Sequence, residues 1–288
     1  MKLTSFRFAA LILFLFCGVI PLATAQIAID SFEDLLRIGA DPDYPLYGRY
    51  TLTQDIDASN SYILNGGAGF QPIGPRLEDD DSVGFSGVFD GQGYAIHNLF
   101  INRPDEQGVG LFGSIAASGK VINLGLVGGS ITGSHYTGSL VGENWSAAVA
   151  GCFSDTTVSG ISRVGGLAGI NRGSLTACYA LGAVNGIEFV GGLVGRNYEG
   201  LIQESYAAAS VSGSRWAGGL VGQSVDAQAL ACFWDTTLSL LPVSDGGSGL
   251  TTDFMQRATD YLAAGWDFRS VWTIKENRGY PQHKALWE

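Results

Sequence analysis

Along most of this chain the apolar residues come in short runs of four to six, and glycine closes nearly every one. Glycines also interrupt every helical window that would join these runs, so the pattern predicts short strands separated by tight turns. The clearest phrase is FVGGLVGRNYEG at 189–200. Versions of it recur as GLFG at Leu111, SLVG at Leu140, GLAG at Leu167, GLVG at Leu193 and GLVG at Leu220, about 27 residues apart. Nine residues before the last four leucines stand Ile131, Val158, Val184 and Val211, and seven before stand Gly133, Gly160, Gly186 and Gly213. Each V-x-G or I-x-G reads as a strand ending in a turn, and the shared phase marks a structural repeat.

Three short strands and three turns fill such a unit. The economical arrangement is one coil of a parallel β-helix, an all-β solenoid in which equivalent residues of successive coils stack about 4.8 Å apart. Short helical caps are expected at both ends, because open strand edges invite aggregation. Ser31-Phe32-Glu33-Asp34 has the form of a capping box before Leu35, Leu36 and Ile38. Thr252 and the following DFMQRATDYLAAG predict a second helix stopped by Gly265, with Trp266, Phe268, Val271, Trp272 and Ile274 covering the last coil. The expected organisation is a single domain over 26–288: a front cap and first coils over 26–84, repeats over 85–237 and a closing cap over 238–288.

The repeat phase sorts candidate residues into columns. Cys152, Cys178, Ser205 and Cys232 follow the leucines at one phase, each ahead of an aromatic residue. Cys152 and Cys178 would lie on adjacent rungs within disulfide reach; their parallel side chains favour a buried ladder over a bond. Asn144, Asn171 and Asn197 fit a stacked amide ladder or turn positions, and Asn144-Trp145-Ser146 also matches a glycosylation acceptor. Four residues before the leucines stand Tyr136, Arg163, Phe189 and Trp216, and five before stand His135, Ser162, Glu188 and Arg215. Facing outward, such columns would space aromatic planes and polar groups by one rung, suiting the apolar face and hydroxyl edge of a sugar or a flat protein partner. Facing inward, the aromatics would fill core.

With its relatives at 165–171 and 138–144, Gly191–Asn197 resembles the GLUG-motif repeat of bacterial secreted and surface proteins. YTLTQDID at 50–57 and FSGVFDGQGYAIHNLFI at 85–101 are similar to the opening coils of pectin-lyase-like right-handed parallel β-helices, and the segment from Cys232 through Phe268, followed by VWTI and GYP, is similar to their usual close. The resemblance covers nearly all of the chain after residue 25. It implies the fold and a bacterial surface or secreted setting, and it does not imply a reaction.

Composition agrees with a folded, exported protein. The chain has 42 glycines but 8 prolines and 46% hydrophobic residues, too apolar for disorder and without the collagen rule. Lys2 and Arg7, the apolar run from Phe8 to Ile20 and Ala23-Thr24-Ala25 form a predicted signal peptide over 1–25. No later apolar run is long enough to span a bilayer. The net charge of −11 disfavours nucleic acid and anionic lipid as partners.

Catalytic motifs are lacking: there is no H-E-x-x-H, G-x-S-x-G or P-loop. The run Glu78-Asp79-Asp80-Asp81 offers oxygen ligands for Ca²⁺ but has no EF-hand or RTX spacing, and such charge runs usually mark solvated loops. No other cofactor is expected. Arg163, Arg172, Arg196 and Arg215 fall at different repeat phases, so the sequence does not align them with an acid pair for glycan cleavage. The leading expectation is a non-catalytic scaffold for adhesion to a glycan or surface protein. A polysaccharide lyase or hydrolase and a structural spacer are the alternatives.

Overall fold

The chain winds as a parallel β-solenoid of about 7 turns with coils of roughly 27 residues, and about 12% of it is helical. The computed structural model describes residues 26–76 and 84–284. The predicted signal peptide over 1–25 and the acidic run Glu78–Asp81 lie outside the described residues.

One coil shows the plan. Strand Ala148–Ala150 leads through Gly151 and Cys152 into Phe153–Ser159, then into Ser162–Gly165 and Ala168–Asn171, before Ser174–Thr176 opens the next turn. Stacked coils build four parallel sheets of eight, ten, four and five strands. Their register keeps the repeat phase: Phe153 pairs with Tyr179, Val164 with Val190 and Asn171 with Asn197.

A full coil therefore has four strands where the pattern suggested three. The extra division falls at Gly165-Gly166-Leu167, where the backbone turns from the third strand into the fourth. Here the coils press so closely that a Cβ on Gly166 would sit 2.2 Å from the Gly192 carbonyl oxygen of the next coil. The adjoining leucine turns inward, and Leu111, Leu140, Leu167, Leu193 and Leu220 are all fully buried. They meet Val121, Val149, Leu175 and Ile202 of the eight-stranded sheet in the main core. Each such leucine contributes on the order of 2 kcal/mol by leaving water. A separate cluster of Val158, Val164, Val184 and Val190 fills the corner beside the four-stranded sheet.

At the front, helix Phe32–Arg37 is capped by Ser31, whose hydroxyl accepts from the Asp34 amide at 3.2 Å. Near the far end, Asp235 caps a short helix, Thr236–Ser239, that the pattern did not predict. Two helices, Thr252–Met255 and Ala258–Ala263, stand where one was expected, with the break at Gln256 and Arg257.

The closing segment covers far more than the last coil. It runs back along the flank over Phe153, Tyr179, Tyr206 and Phe233, the aromatics that follow the cysteine column. Phe153 stacks on Tyr179, and Tyr179 on Tyr206, each at 5.0 Å. This outward apolar ladder needs a cover, and Tyr261, Trp266, Trp272 and His283 supply it. Trp266 Nε1 donates to the Ala231 carbonyl at 2.8 Å, and the Tyr206 hydroxyl donates to the Pro281 carbonyl at 2.7 Å. His283 Nε2 bonds to the Ala177 carbonyl at 2.7 Å. Among the described residues, no helix is long and apolar enough to cross a membrane.

Candidate binding face

The column Tyr136, Arg163, Phe189 and Trp216 lies on the four-stranded sheet, at the second residue of each strand. All four have left-handed backbone, with φ of +57, +57, +52 and +50°. The ladder passes over them, since the residues on either side pair between coils. Each such kink costs on the order of 1 kcal/mol for a residue with a Cβ. Most other positive-φ residues without glycine's freedom are small or polar, such as Asn98, Asn123, Ser146, Ala177 and Asp226; among the described residues, the three aromatic ones all stand in this column.

A glycine on the neighbouring sheet makes room for the first three kinks. A Cβ on Gly169, Gly195 or Gly222 would come within 2.5 or 2.6 Å of the carbonyl carbon of Tyr136, Arg163 or Phe189, one coil back. Gly169, Gly195 and Gly222 thus each seat one kinked residue. Close contact between the two sheets brings together side chains that are far from one phase in sequence.

The result is an interleaved layer of guanidinium groups and rings. Arg163 lies 5.0 Å from the Tyr136 ring and 5.3 Å from Phe189. Arg196 is 5.7 Å from Phe189 and 5.3 Å from Tyr198, and Arg172 sits 4.5 Å from Tyr198 and 4.4 Å from Trp145. Arg76 is 4.9 Å from Tyr136. Phe189 and Trp216 stack at 4.6 Å with a 4° interplanar angle; Trp216 is 48% exposed, and the Arg215 guanidinium lies 4.4 Å from its ring.

Negative charge is scarce here. Buried Glu143 pairs with Arg76 at 2.8 Å and approaches Arg172 at 3.8 Å, while Glu188 pairs with Arg215 at 2.7 Å. Among the described residues, no carboxylate forms an ion pair with Arg163 or Arg196. Burial, reinforced by the neighbouring Arg163 and Arg172 charges, holds Arg196 below the usual arginine value. The Nε atoms of Arg163, Arg172 and Arg196 are buried without hydrogen-bond partners.

The other candidate columns lie inside. Asn144 Nδ2 donates to Asn171 Oδ1 at 2.8 Å, and Asn171 Nδ2 donates to Asn197 Oδ1 at 2.9 Å. Asn197 Nδ2 then donates to the Gln228 carbonyl at 3.2 Å. Asn144 is fully buried, so the sequon is inaccessible in the folded chain. Cys152, Cys178 and Cys232 are free and buried. Their thiols, like the Ser205 hydroxyl, donate to the carbonyl two residues earlier, at 3.4, 3.3, 3.2 and 2.7 Å for Cys152, Cys178, Cys232 and Ser205. Burial pushes Cys178 and Cys232 up to about 12 and Cys152 well above its ordinary value, so these thiols are unsuited to nucleophilic work. Among the described residues, no group of three or more His, Cys, Asp or Glu side chains is placed to hold a metal.

No family model matches the chain. Over 148 residues, 49% of its length, it is 39% identical to Halomucin of Haloquadratum walsbyi. Over 99 residues, 33% of its length, it is 41% identical to a "Putative Gly-rich membrane protein" of Evansella cellulosilytica. The matched stretches amount to 2% and 11% of those two proteins. Among solved structures, a "putative immunoglobulin A1 protease" from Bacteroides ovatus aligns with a TM-score of 0.60 at 17% identity, covering 91% of this chain and 93% of that one. At that identity the likeness shows a shared fold.

Sequence reasoning named Tyr136, Arg163, Phe189 and Trp216 and did not join Arg76, Glu143, Arg172 or Arg196 to them. Glu143, Ile170, Arg196 and Gln223 share one position of the five-stranded sheet, the variable residue of G-x-N. Variation at that position was the available signal. It acquires meaning only once the two sheets are known to press together at the glycines.

Proposed function

We propose that this chain is the solenoid part of an exported or cell-surface protein of the GLUG-repeat type, and that it binds a glycan or surface partner without catalysis. One observation carries the reading: four successive coils accept left-handed backbone strain to present Tyr, Arg, Phe and Trp where glycine would be relaxed. Strain of this kind clusters at ligand sites. Trp216, stacked on Phe189 and half exposed, offers an apolar edge to a sugar or flat protein partner, and the names of the two sequence relatives, Halomucin and a "Putative Gly-rich membrane protein", support a surface setting. Trp216→Ala removes the half-exposed indole and should weaken binding on a glycan array and in calorimetry while leaving the melting temperature nearly unchanged. A wild type with no glycan or surface-protein ligand, or a variant with unaltered affinity, refutes the reading and leaves the spacer.

A second reading, glycan cleavage, has one feature in its favour. A cleft of about 310 Å³ holds Asp105, Glu106 and Arg76, and it joins the binding face through Arg76. Turnover of a polysaccharide panel that is abolished by Glu106→Gln would establish it.

A further inference from the structure

The far end of the solenoid is closed by a segment that turns polar groups toward the last coil and apolar side chains toward solvent. It spans residues 236–247. Helix Thr236–Ser239 lies on strand Ser210–Ser212. The Leu241 carbonyl then accepts from Trp234 Nε1 at 3.2 Å, and the Val243 carbonyl accepts from the Gly219 amide at 3.0 Å. The Ser244 hydroxyl accepts from the Leu220 and Val221 amides at 3.1 and 2.9 Å, and Asp245 Oδ2 accepts from the Ser224 amide at 2.7 Å. Between these anchors the large side chains are left uncovered: Leu238 is 42% exposed, Val243 60% and Leu240 83%. Leu240 also has left-handed backbone, with φ of +56°, where glycine or asparagine would be relaxed. A leucine both strained and uncovered gains nothing in an isolated chain, and clustered apolar exposure of this kind marks an interaction surface.

Charge and strand edges identify what covers it. Residues 236–252 hold a single charge, Asp245, in a chain with 27 acidic and 16 basic residues. The opposite end carries Asp30, Glu33, Asp34, Asp41 and Asp43 around the front helix, with one basic residue, Arg37, within 26–45. An apolar and nearly uncharged end is complemented by itself, not by the acidic front. Beside it, strand Gln228–Leu230 ends the eight-stranded sheet with no strand on its outer edge among the described residues, and Leu230 on that edge is 48% exposed. Such an edge is open to pairing, and the same edge of a second copy, turned over by a twofold axis, offers an antiparallel partner. We propose that two copies of this chain dock tail to tail about a twofold axis through Leu238, Leu240 and Val243, with their acidic fronts at opposite ends of the pair. The interface uses neither Trp216 nor the arginine layer, so it stands or falls separately from the binding reading above.

The test is analytical ultracentrifugation of the full chain over a range of concentrations. The mass should rise to twice that of the monomer and stop there, because a twofold interface closes on itself. Leu240→Asp should weaken association about a hundredfold, since two leucines lose their cover in each dimer, without lowering the melting temperature of the dilute, monomeric protein. Leu240→Gly should also weaken association while leaving that melting temperature unchanged or higher, because the left-handed backbone relaxes; a leucine with a merely structural role would lower it. Under mild oxidation Leu240→Cys should cross-link to a second copy and Asp43→Cys should not. A chain that stays monomeric up to about 0.1 mM, well above the micromolar Kd of a weak specific interface, overturns the proposal, as does a dimer indifferent to both Leu240 changes. Mass that grows without limit, or cross-linking through Asp43→Cys instead, means head-to-tail stacking and overturns it equally.

Discussion

Acidification should loosen the closing segment through one buried imidazole. His283 is 7% exposed, its ring lies 4.7 Å from Trp272 and 5.1 Å from Tyr179, and Nε2 bonds to the Ala177 carbonyl. A carbonyl only accepts, so Nε2 carries the hydrogen and the neutral ring is the tautomer protonated there. Burial lowers His283 from 6.5 to about 4, outweighing the Ala177 hydrogen bond, which acts in the opposite direction. The unfolded chain takes up this proton near 6.5 and the folded chain only near 4. Between those values the unfolded state binds more protons, so stability falls as pH falls. The contribution is fully present above 6.5 and gone below 4, and 2.5 pH units at 1.36 kcal/mol each amount to about 3 kcal/mol. Urea unfolding followed by tryptophan fluorescence at neutral pH and near pH 4.5 measures the loss. His283→Gln keeps an N–H for Ala177 and does not titrate, so carboxylate effects cancel in the comparison. The wild type should lose about 2 to 3 kcal/mol more than the variant across this range. Equal losses, or an imidazole titrating near 6.5 by NMR, would refute the argument.

Two further changes test the interior. Asn171→Ala removes the middle of the amide chain, strands Asn197 Oδ1 and the Gly173 amide, and should cost about 2 to 4 kcal/mol by chemical denaturation. Gly195→Ala places a Cβ 2.5 Å from the Arg163 carbonyl carbon and should cost about 2 kcal/mol or more in a thermal melt. Gly279→Ala, whose added carbon meets nothing within 4 Å, is the control and should melt close to wild type.

The coil period and inward leucines were legible because every turn of a solenoid imposes the same demand on the same position. Leu140, Leu167 and Leu193 meet an identical environment, so the sequence repeats itself there. The arginine cluster was not legible. Arg163 and Arg196 belong to different sheets and different phases, and it is the glycine contact between those sheets that makes them neighbours. Left-handed backbone at Tyr136, Phe189 and Trp216 was equally hidden, since glycine or asparagine usually announces it. The aromatics after the cysteine column were visible as a series, but their cover comes from a non-repeating segment whose hydrophobic pattern does not say which coils it will touch.

The closing segment also bears on how this protein can change over generations. A repeat array ordinarily grows or shrinks by copying or deleting whole units, because each unit touches only its neighbours. Here one non-repeating stretch reaches from the Ala231 carbonyl back to the Ala177 carbonyl, with His283 also touching the Phe153 ring. Duplicating a coil within that span would lengthen the ladder by about 4.8 Å and pull Trp266 and His283 out of step. The segment acts as a ruler. It fixes the number of coils beneath it and leaves the front of the solenoid as the place where repeats can be gained or lost.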